Sequence, residues 1–459
     1  MKNEEIEAAP VSHVWHHLTQ HRGDSPVVPP TFVEGDGFFI KDEHGKTYLD
    51  ATSGGVWTVN AGYGRKRIAE AVRDQLEKMC FFGQTAGNLP ARELAERLTE
   101  KTEGLTRVIY STSGSEANEK AYKLVRQLAN REGGNKRFKI VYRDRDYHGT
   151  TITALSSTGQ PQRRAQYGPE TPGFVEMPHC LCYRCPFGKR YGSCNIECAR
   201  SLETILEREG PETVGAVVLE PVTAGGGVIV PPPEYFPIIE EICRRYGVML
   251  HIDEVVCGMG RTGRWFGYQH YGVRPDLVTL AKGVASGYAP IACTLSTEAV
   301  FERVQEGPDD PLNYFRDIST FGGCTAGPAA ALENLKILEE EALLENATVM
   351  GERLLDGLKE LQEKYPIVGE VRGLGLLLGV ELVRDRETRE PVAEGWTVGV
   401  AGHCMRNGLI VGRTNRSFPE LNNTLALCPA LTIDGEGVNL ILERLEAALA
   451  WANGSLKET

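Results

Sequence analysis

Between Val214 and Asp253 the chain reads strand, helix, strand, and that alternation restricts the fold more than any other feature of the sequence. VGAVVLEPV (214–222) is a nearly unbroken apolar run rich in valine, as a strand covered on both faces requires. In PPPEYFPIIEEICRRYG the prolines precede a helix whose Ile238/Ile242 and Ile239/Cys243/Tyr246 recur at helical spacing, with Gly247 placed to stop it. VMLHID then returns as a strand, and LVTLA (277–281) supplies another. Upstream, RVIYS leads into a helix carrying Ala117, Ala121, Leu124 and Leu128 on one face, and KIVYR repeats the strand before DRDYHG. Strands alternating with helices build a mainly parallel sheet, because each parallel connection needs a crossover that a helix supplies. The expected fold class is α/β, with helices flanking the sheet.

In such sheets ligands bind beyond the carboxyl ends of the strands. Ser111 to Ser115, Tyr147/His148, Glu220, Asp253 and Lys282 each follow an apolar run, so five strand ends carry polar groups to one rim. An unpaired carboxylate or ammonium is costly to bury, and such groups are paired, metal-bound or functional. One chemistry uses a lysine and an aspartate together. The amine forms a Schiff base with the aldehyde of pyridoxal phosphate, and the carboxylate keeps the pyridine nitrogen protonated. In STSGSEAN, Gly114 and Ser115 open a helix whose free N–H groups suit a phosphate, although an ordinary N-cap serine has the same sequence. Tyr147 is a candidate to stack on a planar cofactor, or else packs in the core. STFGGCTAGPAAALENLKIL begins a second helix after glycines, with the Thr320 hydroxyl available to the same phosphate.

The rest reads as a second module. Residues 335–365 form one long charged helical stretch, VRGLGLLLGVELV a Gly-rich strand, and 395–459 helix, strand and helix. The first 75 residues show little helix and a hairpin signal at DEHG. The expected division is an N-terminal segment, 1–75, packing with a small α+β domain, 335–459, beside a large cofactor-binding domain, 76–334. At 459 residues, 41% hydrophobic and 24% charged, the chain is long enough for both.

A net charge of -12 argues against nucleic acid as a partner. The start, MKNEEIEAAPVSHVWHHLTQ, has no apolar leader core, and no run approaches the ~18 apolar residues needed to cross a bilayer. A cytoplasmic protein without a membrane partner is expected, its 12 cysteines thiols or ligands rather than disulfides. HCLCYRCPFGKRYGSCNIEC gathers Cys180, Cys182, Cys185, Cys194 and Cys198. The C-x-x-C pair Cys182/Cys185 with Cys194 and Cys198 could hold zinc or an iron–sulfur cluster, or the group stays as free or redox-labile thiols.

SGSEANE, DYHGTT, LEPV, IDEVVCGMGRTG, LAKG and TFGG stand in the order and approximate spacing of the class III aminotransferases, pyridoxal phosphate enzymes of fold type I. The chain resembles that family from SGGVWTVNAGYG (53–64) to LCPAL (427–431). The resemblance implies that Lys282 bonds the cofactor and moves the proton between donor and cofactor carbons. Asp253 pairs with the pyridine nitrogen, Val255 and Tyr147 flank the ring with His148 beside it, and Gly114 and Ser115 hold the phosphate. Thr320 reaches the phosphate of a neighbouring subunit, making a homodimer or larger homo-oligomer. Glu220 matches a family glutamate that counters an arginine when the site holds no carboxylate, and Trp57 lines the substrate pocket.

Family members differ in their amine donor, which then passes its amine to a ketoacid. VWHHLTQH, NYFRDISTFGGCTAGPAAALEN and TNRSFPELNNTLALCPAL resemble the branch that uses taurine and pyruvate, which implies sulfoacetaldehyde and alanine as products and ping-pong kinetics. β-Alanine, γ-aminobutyrate or hypotaurine as donor, 2-oxoglutarate as acceptor, and a catalytically inert cofactor-binding relative stay open. Sulfonate and carboxylate both suit an arginine fork. GLIVGRTNRSFPELNNT offers Arg416, preferred, and Arg413.

Overall fold

The computed structural model describes residues 13–21, 29–83, 86–134, 136–306 and 311–456; the first twelve residues, part of the start read as lacking a leader, lie outside them. The chain opens with an antiparallel meander of β1 (Phe32–Asp36), β2 (Phe39–Asp42) and β3 (Thr47–Asp50). DEHG is its second turn, where the Gly45 N–H donates to Asp42 O (3.0 Å) and Gly45 takes φ 83°. Helices α1 (Lys66–Lys78) and α2 (Leu89–Thr99) follow.

Seven strands make the central sheet: β4 (Leu105–Ser111), β5 (Lys139–Arg143), β6 (Phe174–Met177), β7 (Val214–Leu219), β8 (Met249–Asp253), β9 (Leu277–Leu280) and β10 (Ala292–Thr297). Their order is β4-β10-β9-β8-β7-β5-β6, and every pairing is parallel except those of β10. Between strands run α3 (Gly114–Gly133), the short α4 (Ile152–Ser156) and α5 (Pro161–Arg164), α6 (Glu197–Glu209) and α7 (Tyr235–Tyr246), and α8 (Glu298–Gln305) follows β10. Successive strand residues point to opposite faces. Val217, Leu219, Leu250, Ile252 and Val278 pack in one core with α6 and α7, while Ala216, Val218, Met249 and Leu277 pack in another with α3 and α8. Both faces are covered, which is why these strands are apolar throughout.

The helical stretch expected at 335–365 is two helices, α9 (Ala326–Glu340) and α10 (Leu343–Lys364), separated where Ala342 takes φ 50°. The first lies on α1 and α2 and the second on a later hairpin, and one straight helix cannot serve both surfaces. VRGLGLLLGVELV is likewise that hairpin rather than one strand: β11 (Val368–Leu374) turns at Gly375 (φ 57°) into β12 (Leu377–Asp385). The chain ends with β13 (Glu390–Pro391), α11 (Glu394–Arg406), β14 (Leu409–Ile410), β15 (Gly412–Arg413), β16 (Thr424–Leu427) and α12 (Gly435–Leu456). Parallel pairing of β14 with β3 joins the N-terminal meander to the C-terminal part. The divisions at 75/76 and 334/335 fall inside α1 and α9. Among the described residues no helix is long and apolar enough to cross a membrane.

Candidate active site

A cavity of about 550 Å³ opens at the carboxyl ends of β8 and β9, and its wall includes Asp253, Lys282, Gly114, Ser115, Tyr147, His148, Val255, Trp57 and Arg413. Lys282 leaves β9 into a single helical turn with φ 44°, a left-handed conformation that costs a lysine energy and needs support. Asn334 Nδ2 supplies it by donating to Gly283 O (2.8 Å) and Val284 O (3.0 Å). Glycine at 283 allows a close approach: a Cβ there would lie 2.3 Å from Asn60 Nδ2, which donates to Met259 O (2.9 Å) and would have to shift. Burial holds the Lys282 amine below the ordinary lysine range, against the opposing charges of Asp253 and Glu220. An amine whose ammonium form is disfavoured in this way is a nucleophile and a base.

Asp253 has the opposite fate. Its Oδ2 accepts from Asn118 Nδ2 (2.8 Å) and His148 Nδ1 (2.7 Å), and its Oδ1 from the Val255 N–H (3.0 Å). Burial pushes the carboxyl up, but these bonds outweigh it and hold it below the usual carboxylate range. With the carboxylate charged, His148 Nδ1 carries the proton, and His148 Nε2 is buried without a hydrogen-bond partner among the described residues. Asn118 is fixed in turn: its Nδ2 also donates to His148 O (2.7 Å), and its Oδ1 accepts from Thr279 Oγ1 (2.9 Å).

At the start of α3, Ser113 caps the Glu116 N–H (3.3 Å), which leaves Gly114 and Ser115 facing the cavity. A Cβ on Gly114 would stand 3.0 Å from Val255 Cγ2. Tyr147 is held from behind: its N–H donates to Glu220 Oε1 (2.8 Å), and Ala224 N–H donates to Oε2 (3.1 Å). Glu220 is therefore one layer behind the wall, without an arginine on its carboxyl group among the described residues. Burial pushes that carboxyl well above the usual range, and Asp146 and Asp253 add to the effect. The fully buried Arg143 backs this layer, donating to Asp146 Oδ1 (3.0 Å) and Glu220 O (2.6 Å). Trp57 ends a loop braced by Asp50, whose Oδ2 accepts from Gly54 N–H (2.6 Å) and Tyr63 Oη (2.7 Å). Its ring lies 5.5 Å from Lys282 Nζ.

The two expected arginines part company. Arg413 is on the wall but donates to Glu394 Oε1 (2.8 Å), while Arg416 is exposed and off the wall. A third, Arg163 of α5, is on the wall and was not anticipated; it sits in a polar stretch with no periodicity to index it. Asn118 was also missed, although it lies within SGSEANE, one helical turn after Gly114. Thr320 is exposed and is not part of this wall. The cysteine group lies elsewhere, around a small separate cavity. Cys182, Cys185, Cys194 and Cys198 are free thiols, and no set of three or more His, Cys, Asp or Glu among the described residues is placed to hold a metal ion. Burial pushes the Cys180 and Cys182 thiols up to about 11 and that of Cys198 up to about 12.

An amine whose ammonium form burial disfavours, a carboxylate held below its usual range, two side chains to flank a ring and a helix N-terminus for an anion form the set that pyridoxal phosphate requires. The family model for class-III aminotransferases matches residues 20–449. The chain is 55% identical over 445 residues to the hypotaurine/taurine–pyruvate aminotransferase of Paracoccus denitrificans, covering 97% of this chain and 96% of the relative. It is 54% identical over 444 residues to the taurine–pyruvate aminotransferase of Bilophila wadsworthia, covering 97% and 96%. Among solved structures, a Bacillus anthracis aminotransferase superposes with a TM-score of 0.91 at 40% identity, covering 96% of each chain. The ω-transaminase of Pseudomonas jessenii in complex with PMP gives 0.87 at 34% identity, covering 94% of each. Matched along nearly its whole length in sequence and in overall fold, the chain belongs to the class-III aminotransferases.

Proposed function

We propose that this chain transfers the amine of taurine to pyruvate, giving sulfoacetaldehyde and alanine. The observation that carries the reading is one cavity holding a deprotonation-prone Lys282, an ionised Asp253 and arginine on its wall. Identity of 54–55% over nearly the full length to relatives named for taurine and pyruvate supports the choice of substrates.

In this reading Lys282 would hold pyridoxal phosphate through its aldehyde, Gly114 and Ser115 would offer their N–H groups to its phosphate, and Val255 and Tyr147 would flank its ring. When bound, the cofactor supplies an electron sink for the carbon that loses a proton and stores the amine between half-reactions. Asp253 keeps the proton on the ring nitrogen, and His148 and Asn118 keep Asp253 charged. Lys282 Nζ would take the proton from the amine-bearing carbon of the donor, the site's buried base for that step. In the second half-reaction it returns a proton to the carbon that becomes Cα of alanine. Glu220 acts through Tyr147, fixing that residue's backbone.

By the resemblance of its TFGG motif, Thr320 would reach the phosphate site of a second copy of the chain, and its exposure away from its own cavity wall is compatible with that role. Exposed apolar side chains close by in sequence and structure (Phe81, Phe82, Ile318 and Phe321) support a self-association face there, with the Phe81 and Phe321 rings 5.7 Å apart. A panel of taurine, hypotaurine, β-alanine and γ-aminobutyrate against pyruvate and 2-oxoglutarate tests the substrates. Taurine with pyruvate should form alanine fastest. Alanine from β-alanine but none from taurine would sink the reading.

A further inference from the structure

Among the described residues two arginines line the cavity, and one of them has a carboxylate partner. Arg413 is neutralised by Glu394, whereas Arg163 has no acidic partner among the described residues. Its side chain is nevertheless held firmly. Nε donates to Gln160 Oε1 (2.9 Å), Nη2 to Asn415 O (3.3 Å), and the guanidinium carbon lies 5.3 Å from the centroid of the Tyr147 ring. Gln160 is fully buried and anchored through Nε2 to Arg145 O (2.9 Å), and its Oε1 also accepts from Ser417 Oγ (3.1 Å). Gly225 lies beside this support: a Cβ there would make ordinary contacts with Gln160 Nε2 (3.4 Å), Trp57 Cη2 (3.8 Å) and Tyr147 Cβ (3.9 Å), which places these three groups around one point of the cavity. Among the described residues no protein acceptor binds Arg163 Nη1. Burial disfavours the Arg163 cation and, although the Tyr147 phenol favours it, the charge of Arg416 adds to the penalty. Guanidinium does not shed its proton to escape. A rigid, half-buried cation facing a ligand cavity with no counter-ion is a site for an anion.

We propose that Arg163 is the fixed anion clamp of this active site, binding the sulfonate of the donor and, in the other half-reaction, the carboxylate of the acceptor. This deepens the assignment of an anionic amine as donor and rests on it. Ring contact with Tyr147 gives the clamp a defined place relative to the cofactor face, which sets the span between amine and anion that the site accepts. Arg416, by contrast, is exposed, lies off the cavity wall and makes a single long bond to Asn415 Oδ1 (3.4 Å), without the support that fixes Arg163.

The test uses cofactor-loaded wild type, Arg163→Met, Arg163→Lys and Arg416→Ala. Calorimetry measures the affinity for ethanesulfonate, which carries the anion but no amine. Donor half-reactions with taurine and with n-propylamine give a selectivity ratio. A lost charge-assisted fork weakens binding about tenfold or more, so Arg163→Met should raise the ethanesulfonate Kd by about that factor and lower the taurine-to-propylamine ratio similarly. Arg163→Lys, a point charge without the fork, should fall between, and Arg416→Ala should move both readings less than Arg163→Met does. Thermal stability of Arg163→Met should not drop, because a half-buried cation without a counter-ion has been removed. An ethanesulfonate Kd within about twofold of wild type in Arg163→Met and Arg163→Lys overturns the clamp, on the ordinary arithmetic of affinity. Wild type that uses β-alanine but not taurine would refute the donor assignment alone; propionate then replaces ethanesulfonate in the same comparison and decides the clamp.

Discussion

At Asn118, one amide holds together the charge state of the site: it donates to Asp253 and to His148 O while Thr279 donates to it. Replacing it with alanine removes one of the donors that hold the Asp253 carboxyl down. We predict that Asn118→Ala weakens cofactor binding about tenfold, the worth of a hydrogen bond to a charged group, as read by equilibrium titration of the apoenzyme. The other end of this chain of contacts is His251, whose Nε2 is 3.3 Å from Thr279 Oγ1 and whose burial lowers it to about 3. Unfolded, that histidine binds a proton below about 6.5, whereas the native one does so only near 3, so its contribution to stability declines as pH falls between them. His251→Gln should therefore flatten the fall of the urea midpoint between pH 6.5 and 4 relative to wild type; parallel curves would contradict this. Lys282 and Asp253 were legible because each ends an apolar run, whereas Asn118 and Arg163 were not. A polar residue one turn into a helix, or in a stretch without periodicity, carries no positional mark of the cavity it faces.

Among the elements, buried strands were legible because parallel strands covered on both faces are apolar throughout, and α7 because its prolines, spacing and Gly247 agree. Two readings failed where apolar or charged patterning continues through a bend. Gly375 reverses the chain inside an apolar run, and Ala342 breaks a stretch that is helical in composition on both sides. The close approach of α10 to that hairpin gives a test. A Cβ on Gly351 would lie 2.3 Å from Gly375 O and 2.4 Å from Gly375 C, backbone atoms that cannot rotate away. Gly351→Ala should destabilise the protein by about 1–3 kcal/mol, the usual cost of overpacking, as measured by denaturant unfolding. An unchanged midpoint would mean that helix and hairpin do not pack this closely.

For the whole molecule, the pairing of β14 with β3 unites the two chain ends, which the sequence suggested only through the lack of helix near the start. The proposed second copy makes a sharper claim, that a site takes Lys282 from one chain and Thr320 from the other. Mixed dimers of Lys282→Ala with Thr320→Ala should then hold one intact site each, with cofactor affinity at that site equal to wild type. If every lysine-bearing site in the mixture binds cofactor as weakly as the Thr320→Ala homodimer, Thr320 does not act across subunits. The most direct test of the whole account is a single half-reaction: taurine added to the cofactor-loaded protein with no ketoacid present. The account predicts that the visible cofactor absorbance bleaches while sulfoacetaldehyde is released, one per site, and that pyruvate then restores the absorbance and yields alanine. Absorbance that taurine leaves unchanged would contradict it.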